Sequence, residues 1–203
     1  MHKSILLAAI GILFQISNLN AQKFRGGVTV GVAATQVDGD TYGGYNKAGP
    51  IVGIWVEHNL ANSWFWRMNF RFIQKGSYAR SNNPDVPDFY RMRLNYFELP
   101  VYGGYRFVNA FTGIFGLSIG YLSKASEYNA LGPYPPDETA AFRKYELATI
   151  GGLEYNFSEK WRFGLIFSYS VIPIRPYRNN ISYRMNTGQH NRVIEFLVTY
   201  RIQ

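Results

Sequence analysis

Apolar and polar side chains alternate one by one along most of this chain. A period of two marks extended strands whose two faces meet different surroundings. Eight segments carry it: Phe24–Val37, Pro50–Leu60, Trp64–Tyr78, Arg91–Phe107, Phe111–Lys124, Lys144–Phe157, Trp161–Arg175 and Arg192–Ile202. Each reaches the roughly 9–11 residues that a tilted strand needs to cross a bilayer. No segment has a convincing 3.6-residue period, and after residue 21 no apolar run approaches the roughly 18 residues of a membrane-spanning helix.

The two phases differ sharply in chemistry. In the third segment Trp66, Met68, Phe70 and Phe72 oppose Arg67, Asn69, Arg71 and Lys75. In the fourth, Phe97, Leu99, Val101, Tyr105 and Phe107 oppose Glu98, Tyr102, Gly104 and Arg106. The last three segments repeat the scheme with Leu153, Tyr155, Phe163, Leu165, Phe167 and Phe196 on the apolar side. The polar phase collects Arg25, Arg67, Arg71, Lys75, Arg106, Arg162 and Arg201 with Glu57, Glu98, Glu146, Glu154 and Glu195. The apolar phase is read as essentially free of charge.

Magnitudes decide which phase faces outward. Turning every strand by one residue would set those charges against lipid, at about 2–4 kcal/mol each near mid-depth. Three or four deep charges already cost about 10 kcal/mol, the size of a whole folding stability. A water-soluble, ligand-carrying barrel would need the reverse arrangement, apolar inside and polar outside. With a dozen charges inside and a belt of Phe, Leu and Trp outside, this chain would aggregate in water.

Connection lengths alternate as well. Ala61-Asn62-Ser63, Val108-Asn109-Ala110 and Ser158-Glu159-Lys160 are tight turns; Asp38–Gly49, Ala79–Tyr90, Ala125–Arg143 and Pro176–Asn191 are long and rich in Gly, Asn, Asp and Pro. Short turns on one side and long loops on the other suit an outer-membrane barrel with periplasmic turns and extracellular loops. The pattern predicts an all-β, eight-stranded, antiparallel, transmembrane up-and-down β-barrel with both termini on the periplasmic side. Trp64, Trp66, Tyr105, Phe107, Phe111, Tyr155, Phe157 and Trp161 fall near the tight turns and predict a periplasmic aromatic girdle. Trp55, Ile73, Ile114, Ile150, Ile166 and Leu197 break the alternation and predict a mixed interior. Pro100 removes a ladder donor where a closed barrel has no free edge, so a bulge or kink is expected near it.

Composition then narrows the setting. Met1–Ala21 read as a cleaved signal peptide, with Lys3 before a short apolar stretch and Leu19-Asn20-Ala21 at the cut, leaving 22–203 as one barrel domain. The chain has 16 Tyr, 15 Phe, 20 Gly and no Cys, which rules out disulfides, thiolate metal sites and a lipid-anchored cysteine. The formal charge is +8, but Arg and Lys are scattered among strands rather than gathered in a stripe, which argues against nucleic acid.

Catalytic chemistry finds little footing. His58 lies beside Glu57, and His190 lies in the last outer loop, where a pairing with Ser182 is the one candidate for a lipid-modifying site. Asp38-Gly39-Asp40 lacks the remaining ligands of a calcium loop. Gly103-Gly104 and Gly151-Gly152 precede no helix and cradle no phosphate. No cofactor is expected. Eight strands leave room only for side chains inside. Glu57, Arg67, Arg71, Glu98, Arg106, Glu146, Glu154, Arg162 and Glu195 are therefore expected to form a packed charge network, with a narrow ion path as the alternative.

Leu94-Asn95-Tyr96-Phe97-Glu98-Leu99-Pro100-Val101 resembles the Tyr-aromatic-Glu-Leu-Pro strand of the PorT-like outer-membrane β-barrel family, within the wider group of OmpA/OmpX-like barrels. Gly26-Gly27-Val28 and the final Val193–Ile202 strand look similar too, although the chain ends Tyr200-Arg201-Ile202-Gln203 rather than on a terminal aromatic residue. The resemblance implies a Gram-negative outer-membrane barrel, and it links the family's namesake to type IX secretion. The expected role is a non-enzymatic structural or scaffolding barrel contacting outer-membrane lipid and secretion-complex proteins. The alternative is a surface-binding module acting through the loops, including Arg178, Arg184 and Arg192.

Overall fold

The computed structural model describes residues 24–40, 42–60, 62–80, 89–108, 110–134, 140–176 and 188–202. The segment read as a signal peptide, Met1–Ala21, lies outside them, as do Ser182, Arg178 and Arg184. Eight long strands form the wall: β1 Phe24–Asp38, β2 Lys47–Asn59, β3 Trp64–Arg80, β4 Phe89–Arg106, β5 Phe111–Asn129, β6 Tyr145–Asn156, β7 Trp161–Ser170 and β8 Gly188–Arg201. Each pairs antiparallel with its chain neighbours, and β1 pairs with β8 from Gly27↔Arg201 to Asp38↔His190, so the ring closes. Closure is what lipid demands, because an open edge would leave backbone N–H and C=O groups without partners. Both ends of the described chain lie at the short-turn end, where Ile202 N donates to Gly26 O at 2.9 Å.

The three turns at that end are local chemistry. Asn62 and Ser63 take left-handed φ values of 56° and 69°, and Leu60 N reaches Trp64 O at 2.8 Å. The Ser158 hydroxyl accepts from the N–H groups of Lys160 and Trp161. At the other end β3, β4 and β5 run to 17, 18 and 19 residues, so the barrel continues well past what a bilayer requires.

The strands depart from expectation in several places. β2, β3, β4, β5 and β8 extend further toward the long loops than the alternation marked. β7 is shorter than Trp161–Arg175: it stops at Ser170, because Pro173 cannot donate to a ladder. The chain rejoins β8 only at Arg175–Pro176, opposite Gln189 and Gly188. The bulge expected near Pro100 lies instead at Asn95/Tyr96, where Ser123 of β5 is the extra residue and its hydroxyl bonds Asn95 O at 2.9 Å. At Pro100 the register holds, but the β3–β4 ladder skips from Met68↔Val101 to Arg71↔Glu98. That is the signature of the missing proline N–H.

Side chains sort strictly across the wall. The outward belt includes Val30, Ile54, Phe70, Phe115 (70% exposed), Ile119, Leu165 and Phe196. Inward, the lumen is layered. Its short-turn half holds charged groups with Trp55, Phe65 and Tyr102; its long-loop half holds an apolar plug of Met92, Leu94, Leu122, Ile174 and Val193, all buried. Two glycines make this packing possible. A Cβ on Gly104 would sit 2.1 Å from the buried Phe65 ring. Gly76 has φ +135° and offers its carbonyl to the Thr35 hydroxyl at 2.7 Å.

A charge placed in the outward belt should be costly only if that belt meets hydrocarbon. Phe115→Arg is expected to lower stability in phosphatidylcholine vesicles by about 2–4 kcal/mol. Urea titration of the heat-modifiable gel band measures this; a loss under about 0.5 kcal/mol, as at ordinary surface sites, would deny the lipid contact.

Candidate functional site: a closed ion-pair network in the lumen

β3 supplies three inward cations in succession, Arg67, Arg71 and Lys75, and each reaches carboxylates on other strands. Arg67 donates Nε and Nη2 to Glu57 Oε2 at 2.9 and 2.6 Å, and Nη1 and Nη2 to Glu154 at 2.6 and 3.1 Å. Its Nη1 also donates to the Tyr102 hydroxyl at 3.0 Å, and the guanidinium lies 5.1–5.3 Å from the Phe65, Trp55 and Tyr102 rings. Arg106 and Arg162 close the group toward the short turns, at 2.6 and 3.2 Å from Glu57, with Arg162 also 3.2 Å from Glu154.

Deeper along the axis, Arg71 is gripped between Glu98 (2.8 Å) and Glu195 (2.6 Å), and Lys75 between Glu98 (2.6 Å) and Glu146 (2.9 Å). Glu146 accepts further bonds from the Ser170 hydroxyl and Asn191 Nδ2, both at 2.9 Å. Five cations therefore meet five carboxylates, and all nine residues of the expected network are brought together. The short-turn group has three cations to two carboxylates and the deeper group two to three, so the excesses cancel. Forked, two-point contacts of this kind are the strong form of a charge-assisted bond. Asn69 Oδ1, Tyr96 OH and Ser118 Oγ stay buried without a hydrogen-bond partner among the described residues.

Other residues fall differently. Arg25 and Arg201 stand at the short-turn mouth, outside the network; Arg201 is 3.7 Å from the exposed Glu159. Trp64 stacks near Tyr105 (4.9 Å), Tyr105 near Phe107 (5.7 Å), Phe111 near Tyr155 (5.1 Å), and Trp161 near Tyr200 (4.7 Å). Phe157 pairs with Phe163, and Trp66 with Phe24, so all eight girdle residues sit at the short-turn end. His190 is not a loop residue: it belongs to β8, is buried, donates Nδ1–H to Ser170 O at 2.7 Å and lies parallel to the Tyr169 ring. His58 sits on the wall between Phe24 and Trp66. The apolar phase is free of charge only within the belt; above it Arg91, Arg93 and Lys124 share that phase.

At the long-loop end a second polar cluster was not legible. Glu127 accepts from the Tyr90 hydroxyl at 2.6 Å and from Arg175 at 2.7 Å, while Arg175 also donates to Gln189 Oε1 and lies 4.2 Å over the Phe142 ring. Tyr42 stacks on Tyr90 at 4.5 Å. Extrapolating the alternation of β5 would turn Glu127 outward. The Ser123 bulge reverses the phase and turns it in. Beside this cluster Asp40 is nearly buried, and burial pushes its carboxyl up to about 6, against hydrogen bonds from Ser77 and the Tyr42 N–H.

A closed antiparallel barrel with a lipid-facing wall and a packed, ion-paired lumen is the architecture of a small integral outer-membrane protein. The sequence agrees: the family model described as "Outer membrane protein beta-barrel domain" matches residues 20–175, and the chain belongs to that family. No curated relative matches. Among solved structures, Ail of Yersinia pestis is 16% identical with a TM-score of 0.52, covering 89% of this chain and 99% of that one. Ail has also been solved in complex with the heparin analogue sucrose octasulfate, at 15% identity and a TM-score of 0.51. Neisserial surface protein A is 10% identical with a TM-score of 0.55, covering 87% and 96%. These likenesses establish the shared fold.

Arg71→Met leaves Glu98 with Lys75 alone and strands Glu195, so a loss of about 3–5 kcal/mol is expected in detergent or vesicle unfolding titrations. A change below about 1 kcal/mol would mean that the pairs are not formed in lipid. For Asp40, the folded chain holds a proton more tightly than the unfolded chain. Its contribution is full below pH 4 and is lost as pH rises through about 6. Asp40→Asn should therefore raise the melting temperature at pH 7.5 and leave it unchanged near pH 3.5; an equal shift at both would refute the burial effect.

Proposed function

We propose that this protein is a sealed, non-enzymatic outer-membrane barrel that presents its long-loop end as a binding surface outside the cell, with both termini in the periplasm. The observation that carries this reading is the lumen. Ten charged groups bind one another across it, and an apolar plug fills the half above them. Side chains occupy the space that a pore would need, so the function falls to the ends and the outer wall. The cluster of Tyr42, Tyr90, Glu127, Phe142 and Arg175 ties the bases of several long connections into one firm platform, which favours binding by reducing what must be ordered on contact. The basic residues of the last loop, Arg178 and Arg184, suit an anionic ligand; Arg192, expected with them, instead stands in β8 paired with Asp38. A sulfated saccharide of the kind bound by Ail is the first class to try.

The scaffolding reading retains support from two features. One is the Tyr96–Pro100 segment that resembles the PorT-like family; the other is an apolar groove of about 540 Å³ on the outer wall, lined by Phe111, Leu153, Tyr155, Phe163, Leu165 and Phe196, where a second membrane protein could lie. One pair of experiments separates the readings. Purified protein in a planar bilayer is expected to show no steady conductance; a large, stable current would end the sealed-barrel reading. Replacing residues 177–187 with a Gly-Ser linker is expected to abolish binding to heparin-coated beads while the barrel stays folded. Wild-type protein that ignores the beads, with crosslinked envelope partners retained by the loop variant, would favour scaffolding instead.

A further inference from the structure

The outward face changes character just above the apolar belt. Along β4 the outward series runs Val101, Leu99, Phe97, then Asn95, Arg93 and Arg91. On β5 the Ser123 bulge turns Lys124 outward, opposite Asn95. Arg91 and Arg93 are same-face neighbours about 7 Å apart along the strand. Lys124 lies diagonally across the ladder from Arg93, at about 7–8 Å. Arg93 and Lys124 are exposed, whereas Arg91 rests on the rings of Phe89 (5.1 Å) and Tyr78 (5.8 Å).

These three cations have no carboxylate within ion-pair distance among the described residues. Lys47, held at 2.8 Å from Gln74 Oε1, adds a fourth positive charge within electrostatic reach of Arg91 and Arg93. On the opposite side of the barrel the outward Arg192 is neutralised by Asp38 at 2.8 Å. Crowded like charges repel, so a neutralising anion would relieve an unfavourable arrangement.

Depth identifies the anion. Tyr105 marks the short-turn rim of the belt on β4, and Arg93 lies 12 residues further along. That is about 40 Å along a strand, or about 30 Å along the axis at the usual tilt, against an apolar band of about 25 Å. The cluster therefore stands just past the hydrocarbon, at the level of lipid headgroups. Guanidinium forks and ammonium groups at that level match a phosphate.

We propose that Arg91, Arg93 and Lys124 form a binding site for the phosphate group of a membrane lipid in the leaflet on the long-loop side. The site uses the wall of β4–β5 and is separate from the loop surface proposed above. It rests on the membrane placement of the barrel.

The test compares full-length protein in three nanodiscs: phosphatidylcholine alone, phosphatidylcholine with lipid A, and phosphatidylcholine with the same lipid A stripped of its phosphates. Lipid retained after detergent release is counted by native mass spectrometry. Wild-type protein is expected to retain lipid A at least about tenfold better than the dephosphorylated form. Arg91→Gln, Arg93→Gln and Lys124→Gln combined should erase that preference, while Arg192→Gln and the 177–187 linker should keep it. The heat-modifiable gel shift reports folding. Should the triple variant not fold, Lys124→Gln alone, which disturbs no ladder contact, is expected to cut retention several-fold. Equal retention of both lipids by wild-type protein, or undiminished preference in the folded variants, overturns the proposal. So does displacement of lipid A by inorganic phosphate, which would mark a free-ion site.

Discussion

Hydrogen bonds between neighbouring strands close this barrel, but they brace no strand against the one across the lumen. Arg67, Arg71 and Lys75 do. From β3 they reach Glu154 and Glu146 on β6 and Glu195 on β8, spanning the interior rather than the ladder. Each ion has given up water, and each is tolerable only while its partners stay in place. The bracing is therefore collective. Glu57 serves three arginines and Glu98 serves two cations, so the loss of one group unbalances several.

Charge balance explains why the network occupies only half of the lumen. Three cations and two carboxylates sit toward the short turns, two and three deeper in, and the whole is neutral. Beyond Glu146 no further ion pair is needed, and Met92, Leu94, Leu122 and Val193 fill the space. Polar groups return only where the barrel has left the membrane, as Tyr90, Glu127 and Arg175. A lumen built this way is a strut.

Much of this was readable without coordinates, because period-two alternation has a direct physical cause. A strand side chain has only two directions, and lipid punishes the wrong one, so strand number, inward phase and the paired Arg and Glu residues followed. The exceptions Trp55, Ile73, Ile114, Ile150, Ile166 and Leu197 all lie inside. What alternation cannot show is a change of phase. The Ser123 bulge adds one residue, and from there Lys124 faces out and Glu127 faces in. Strand ends were equally hidden, since beyond the hydrocarbon the outward face no longer has to be apolar. Pro100 signalled a disturbance correctly in kind but not in form: it opens the ladder without shifting register.

That same bulge links the inner and outer surfaces at the long-loop end. One inserted residue on β5 delivers Glu127 to the Arg175 platform inside and Lys124 to the cationic cluster outside. Had the alternation continued unbroken, a carboxylate would stand among Arg91 and Arg93 on the wall, neutralising them, and Arg175 would lose its partner. The unpaired charge on the wall and the paired charge above the lumen are thus two results of a single backbone irregularity. Because β-bulges re-aim side chains in this way, the outer cluster belongs to the architecture of β5 and is not a chance gathering of surface cations.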